Sequence, residues 1–221
     1  MTVPPHQEKT MIIKPLAAVL AALLLSSCAM TPERDMRSGQ SMGDMRSMER
    51  MSPSQMDSMM RGWSTASREA VMFMTDKYGP PAAVSADMAV WGPTGPWKRT
   101  VVFAKAVQHN FPMPHPDVMQ QWVDFKAPLD KYDDLAMYDG SVVLERTTGE
   151  ISARCDKEPA NFLAVNLAHD IATGKRSVKD ARQEYGAQIK AMMAGRPAPL
   201  TDRLMFNMNN TGDTDVALPG M

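Results

Sequence analysis

The chain has 221 residues with a formal net charge of −1, and 44% of its residues are hydrophobic. This length and balance predict a single folded domain of ordinary size, with further segments around it. The near-neutral charge, without a long basic run, argues against nucleic acid as a partner. The two cysteines, Cys28 and Cys155, are few, whereas the 22 methionines are unusually many.

Residues 11–28 have the layout of a secretory signal. Lys14 precedes an apolar run over residues 16–25, and small residues follow it. At about ten residues the run is too short to span a membrane as a helix. We therefore predict a signal peptide over residues 1–27, of which residues 1–10 are an upstream extension if translation starts at the next methionine.

The run ends in Leu25-Ser26-Ser27-Cys28, which resembles the lipobox of bacterial lipoproteins. The resemblance implies that a diacylglycerol group is attached to the Cys28 thiol and that the chain is cleaved before Cys28. Ala29 replaces the aspartate of an inner-membrane retention signal, which implies an outer-membrane anchor facing the periplasm in a Gram-negative cell. The alternative is an ordinary cleaved signal with a chance cysteine.

Residues 28–62 are predicted to form a lipidated, methionine-rich, flexible tether. The segment holds nine methionines but almost no aliphatic or aromatic side chains. It therefore buries too little apolar surface to offset the entropy lost on ordering. Towards its end Met56, Met59, Met60 and Trp63 keep helical spacing and could extend the next helix backwards.

Residues 63–195 are predicted to form a single α+β domain. Its elements are a helix, a hairpin, a strand, a short helix, a hairpin and two helices, at residues 66–78, 87–105, 118–125, 128–138, 141–155, 159–171 and 177–192. Tight turns between paired strands favour a small antiparallel sheet, built from two hairpins plus a strand, with about four helices packed on it. Residues 196–221 lack a sustained period and are predicted to be a mostly irregular tail.

The second hairpin fixes the expected position of the remaining thiol. A turn centred on Thr148 and Gly149 would pair Val142 with Cys155 and place Cys155 on the apolar face of a half-covered sheet. A thiol buried there is inert. A thiol enzyme built from Cys155, Asp156, His169 and Asn166 is therefore the least favoured hypothesis.

The proline-rich segment 108–117 is predicted to be an extended loop that could present His109, Met113 and His115 to a metal. Imidazole and thioether groups are ligands that suit copper. The tether adds soft ligands at three-residue spacing, namely Met42, Met45, Met48 and Met51. The alternative is that the prolines stiffen an edge and that the histidines and methionines only fill space.

Three aromatic residues, Trp91, Trp97 and Phe111, could form a surface for a partner, because exposed aromatic groups are enriched at interfaces. The alternative is that they supply apolar volume to a small core. The choice depends on burial, which the sequence does not show.

One further resemblance concerns the segment Tyr78-Gly79-Pro80-Pro81 and the strand with Trp91 that follows it. This helix–turn–strand pattern is similar to small outer-membrane assembly lipoproteins of the BamE (SmpA) type. The similarity covers about 40 residues and implies a fold only, since shared folds host unrelated functions.

Taken together, these features predict a lipid-anchored protein of the cell envelope. We expect a non-enzymatic module that binds an envelope protein or a cell-wall component, with no catalytic residue assigned. The alternative is periplasmic copper binding through the tether and the His109–His115 loop, in which case copper is the one expected cofactor.

Overall fold

The computed structural model describes residues 52–208 and 212–220. The strands in these residues are β1 (Ala83–Val84), β2 (Met88–Trp91), β3 (Arg99–His109), β4 (His115–Asp124), β5 (Val143–Glu145) and β6 (Glu150–Cys155). They form one sheet in the order β1-β2-β3-β4-β6-β5, with every neighbouring pair antiparallel. The predicted α+β class is confirmed, and the sheet has one short strand more than expected.

The helices in the described residues are α1 (Pro53–Met59), α2 (Thr65–Tyr78), α3 (Tyr132–Tyr138), α4 (Glu158–Ala172) and α5 (Val178–Met193). α2 begins where the Ser64 hydroxyl accepts the backbone N–H of Ser67, and α5 begins where Ser177 accepts that of Asp180, each at 3.1 Å. Such caps satisfy N–H groups that have no partner inside the helix. None of these helices is long and apolar enough to cross a membrane.

α2 and α4 cover the same face of the sheet. Strand pairing aligns Val102 with Met119 and Met119 with Cys155, so these three side chains point to one side. α2 packs on β3 and β4 through Met74, whereas α4 packs on β4 and β6 through Leu163. Thirteen of the fifteen residues of α4 are buried, so this helix is enclosed on both sides.

The folded part begins before the predicted boundary at residue 63. Met60 and Trp63 are only 4% and 5% exposed, and both pack with Met74 of α2. The expected backward extension of α2 is nevertheless wrong, because Trp63 has an extended backbone with ψ of 154°. The preceding residues form a separate helix, α1, which begins at the Ser52 cap and ends in a 3₁₀ turn.

The second hairpin exists, but its register differs from the prediction. The predicted pairing of Val142 with Cys155 implies that Leu144 pairs with Ala153. In the structure Leu144 pairs with Ile151 instead, which is a shift of two residues. Gly149 closes the turn with φ of 69°, a left-handed conformation that glycine adopts without strain. Because side chains alternate with a period of two, this shift leaves every side chain on its expected face. Cys155 is therefore on the helix-covered face, as predicted.

The segment after α5 is irregular apart from a 3₁₀ turn at Pro199–Thr201, but it is docked on the domain. Asn166 of α4 donates from Nδ2 to the carbonyl oxygens of Leu200 and Arg203, at 2.9 and 2.7 Å. Its Oδ1 accepts the backbone N–H of Met205 at 2.7 Å. One buried amide therefore holds the segment at three points.

On the sheet face away from the helices, Glu150 lies against two cations. Its carboxylate is 2.6 Å from Nη2 of Arg99 and 2.7 Å from Nζ of Lys98. The hydrogen bond from Arg99, with help from Lys98, holds the pKa of Glu150 below its ordinary value. Arg99 also lies over the ring of Trp122, at 4.5 Å from its centroid, so this face is stabilised by charge and cation–π contacts.

Candidate metal centre

The connection between β3 and β4 brings two histidines together. Half of the predicted extended loop over 108–117 is strand, since β3 runs to His109 and β4 starts at His115. These two residues are the last pair of the ladder, and their ring centroids are 5.0 Å apart. The two histidines are therefore neighbours, and they lie on strands rather than on a loop.

Asp117 completes a group of three possible metal ligands with these histidines. It lies two residues after His115 on β4, on the same side of the strand, and is only 3% exposed. Its Oδ1 is 3.2 Å from Nε2 of His115, and its Oδ2 is 3.4 Å from Nδ1 of His109. One ligand atom from each of the three residues lies within 4.8 Å of the others.

The remaining nitrogen of each imidazole faces an oxygen atom outside the group. Nδ1 of His115 is 2.8 Å from the carbonyl oxygen of Met113, which can only accept, so this nitrogen carries a proton. Nε2 of His109 is 3.6 Å from Oδ1 of Asp139, and that oxygen accepts the backbone N–H and the hydroxyl of Ser141. Histidines that bind metals are usually oriented by such outer partners.

Two atoms at the centre of the group have no hydrogen bond. Nδ1 of His109 and Oδ1 of Asp117 are buried, and their contacts within the group lack hydrogen-bond alignment. An unsatisfied buried polar atom costs about 1–3 kcal/mol. A cation placed between the three side chains would satisfy both atoms at once, so the arrangement is that of a ligand set.

Charge in the group is balanced by a proton when no metal is bound. The Asp117 carboxylate, and then the Cys155 thiol, raise the pKa of His115 to about 11. Protonated His115 therefore faces Asp117 across 3.2 Å, a contact that balances the charge but lacks the alignment of a hydrogen bond. A metal ion would have to displace this proton, as is general for histidine ligands.

No family model, curated protein or solved structure matches the chain. The candidate metal centre therefore rests on its geometry alone. The similarity to BamE-type lipoproteins stays a resemblance of local sequence. The predicted metal ligands of the tether, Met42, Met45, Met48 and Met51, and the predicted lipidation of Cys28 stay predictions, because these residues lie outside the described part of the chain.

Phe111 anchors the connection between the two strands. Its ring packs on Tyr185 of α5 with centroids 5.0 Å apart, and the guanidinium of Arg182 lies 3.8 Å from its centroid. The ring is half-buried, so it holds the end of the hairpin against α5. Phe111 therefore positions the two histidines, and this use leaves only part of the ring for a partner.

Trp91 and Trp97 are 2% and 1% exposed, so neither offers a surface to a partner. Trp97 stacks on Phe162 at 4.7 Å, and its indole N–H donates to Glu158 at 2.7 Å. The Tyr78 hydroxyl donates to the same carboxylate at 2.8 Å. Both tryptophans therefore belong to the core, and Glu158 of α4 links Trp97 to Tyr78 of α2.

Cys155 contacts a different histidine from the one that the sequence suggested. Its hydrogen-bond partner among the histidines is His115, whereas His169 stacks on Phe206 with centroids 4.3 Å apart. Burial raises the pKa of the Cys155 thiol, although His115 opposes this effect. A protonated, buried thiol is a poor nucleophile, so the set of Cys155, His169 and Asn166 does not form.

Asp117 and Asp139 are the residues at this candidate site that the sequence analysis missed. Asp117 carried a usable signal, because His115 and Asp117 alternate along an extended chain and must share one side of it. Asp139 carried none, since it follows α3 and reaches the site only through tertiary packing.

Proposed function

We propose that this protein binds a divalent transition-metal ion, Zn²⁺ or Cu²⁺, through His109, His115 and Asp117. The observation that carries the proposal is the pair of buried atoms without hydrogen bonds, Nδ1 of His109 and Oδ1 of Asp117, facing Nε2 of His115. Two imidazoles and one carboxylate form a ligand set of borderline softness, which suits these ions. The outer oxygen atoms on both imidazoles support the same conclusion.

The ligand count indicates what kind of metal site this is. Structural zinc sites usually have four protein ligands, whereas sites with three leave a position for water or another ligand. The group supplies three ligands from the β3–β4 hairpin. The ion would therefore be exchangeable or open to an added ligand, which fits a protein that carries or senses a metal.

The N-terminal sequence supports a location of the protein in the cell envelope. The apolar run over residues 16–25 and the lipobox at Cys28 support a lipid anchor in the cell envelope, with the domain in the periplasm of a Gram-negative cell. The proposal that the domain binds an envelope protein or a cell-wall component has less support. Of the three aromatic residues predicted to form its surface, Trp91 and Trp97 are buried in the core.

Isothermal titration of the tag-free, full-length protein with Zn²⁺ and with Cu²⁺ tests the proposal. His109→Ala and Asp117→Asn should each lower the affinity by more than the ~10–100-fold that loss of an outer partner costs. The matched control is Asp133→Asn, which changes an exposed carboxylate on α3. Binding that is absent from the wild-type protein, or unchanged in both site variants, would overturn the proposal.

A further inference from the structure

A groove of about 190 Å³ opens beside the metal centre. One wall is the β3–β4 connection with Pro112 and Met113, and the other wall is the last turns of α5. Cys155 lies in the floor, and His115 is part of the lining. The groove therefore meets the metal centre at a residue that the two share.

Sulfur atoms line this groove to an unusual degree. Met113 contributes a thioether from the connection, Met192 and Met193 contribute two from α5, and Cys155 contributes a thiol. Met113 and Met193 are 46% and 66% exposed, so they do not serve as core filler. Methionine thioethers and a thiol that line one groove are soft ligands.

We propose that this groove binds Cu(I), with the Cys155 sulfur and the thioethers of Met113 and Met192 as its ligands. The inference extends the proposed function, since it rests on the groove adjoining a metal centre at His115, and it names a second, softer ion. On binding, the Cys155 thiol loses its proton to solvent and a Cu–S bond forms. No change in the oxidation state of copper is involved.

The positions of the ligands favour a monovalent soft ion in the groove over a second divalent ion. The only carboxylate among the lining residues of the groove is that of Asp156, which is 3.5 Å from the Cys155 sulfur. Thioethers bind Cu(I) well but contribute little to sites for harder ions. Sulfur therefore dominates the groove, whereas nitrogen and oxygen dominate the neighbouring centre.

The test uses methyl NMR of the full-length protein labelled at methionine methyl groups, titrated with Ag(I) as a redox-inert probe and then with Cu(I). Signals of Met113 and Met192 are assigned from Leu substitutions and should shift with the first equivalent bound in the groove. Met72 and Met137 are matched internal controls, because they are 62% and 63% exposed on other helices. Their signals should stay in place.

Two variants make the outcome decisive. Cys155→Ser and Met113→Leu should each weaken Ag(I) binding in the groove at least tenfold, whereas Met137→Leu should not. Unshifted Met113 and Met192 signals, or wild-type affinity in both groove variants, would overturn the inference. A parallel Zn²⁺ titration distinguishes failure of this inference from failure of the proposed function. Asp117 belongs to the neighbouring centre and does not line the groove, so loss of Zn²⁺ binding in Asp117→Asn tests only that centre.

Discussion

His109 and His115 are directly opposite each other at the end of the β3–β4 ladder, with ring centroids 5.0 Å apart. The strand pairing, rather than a flexible loop, therefore sets the distance between the two imidazoles. A one-residue slip of register would turn one of them to the other face of the sheet. Phe111 opposes such a slip, because it fastens the connection to α5.

Cys155 should react slowly with alkylating agents in the folded protein. It is 5% exposed, and burial raises its pKa, so little thiolate is present at neutral pH. Iodoacetamide labelling of a Cys28→Ser variant should be on the order of 100-fold slower in buffer than in urea. Equal rates would show an accessible thiol and would revive the thiol-enzyme hypothesis.

Replacing Glu158 should destabilise the domain strongly. Its carboxylate is 1% exposed and accepts from Trp97, Tyr78 and Lys77, so Glu158→Ala leaves buried donors without an acceptor. We expect a loss of about 3 kcal/mol in the free energy of unfolding. Urea denaturation measures it.

The controls for this prediction are Glu158→Gln and Glu69→Ala. Glu158→Gln keeps an acceptor for the indole N–H of Trp97 and should lose less stability than Glu158→Ala. Glu69→Ala removes an exposed carboxylate and should change the free energy of unfolding by under about 0.5 kcal/mol. A Glu158→Ala protein as stable as wild type would contradict the role assigned to this carboxylate.

The stabilising effect of Glu150 should depend on pH. Its pKa is lowered in the folded protein by Arg99 and Lys98, so its contribution is present above its unfolded pKa of about 4.5 and is lost as the pH falls through the folded value. Glu150→Gln should therefore cost about 1 kcal/mol at pH 7, since both cations are partly exposed. Urea denaturation at pH 7 and pH 3.5 measures this cost, which should shrink at the lower pH. A cost that is the same at both values would contradict the prediction.

Asn166 should control whether the segment after α5 stays docked. Asn166→Ala removes three hydrogen bonds to the backbone of residues 200–205 and should cost about 1–3 kcal/mol locally. Hydrogen exchange at Met205 and tryptic cleavage after Arg203 should both become faster. Asn207→Ala, at an exposed position, should leave both unchanged. Unaltered exchange in Asn166→Ala would mean that other contacts hold the segment.

Local signals in the sequence were sufficient to predict a helix and its ends where the apolar spacing was bounded by a capping residue or a glycine. α2 ends at Gly79 and α5 begins at the Ser177 cap, close to where the apolar spacing predicted. The hairpin containing Leu144 and Ile151 was found with its faces correct, because face depends only on the period of two. Its register was missed, because register depends on the turn, which tolerates several lengths.

The metal centre was only partly predictable, because tertiary contacts decide it. Three prolines made residues 108–117 look like a loop, but pairing with β3 keeps His115 and Asp117 in strand. The same packing buries Trp91 and Trp97, whose exposure no pattern in the sequence could show. Asp139 joins the site from the residue that follows α3, too far along the chain for the periodicity of one strand or helix to predict.

Anomalous X-ray diffraction from crystals grown with Zn²⁺ tests the central claim most directly. A difference peak is expected about 2.0–2.2 Å from Nδ1 of His109, Nε2 of His115 and a carboxylate oxygen of Asp117. A protein crystallised with Zn²⁺ that shows no peak among these three side chains, or shows a direct hydrogen-bonded ion pair there instead, would contradict a metal centre at this hairpin.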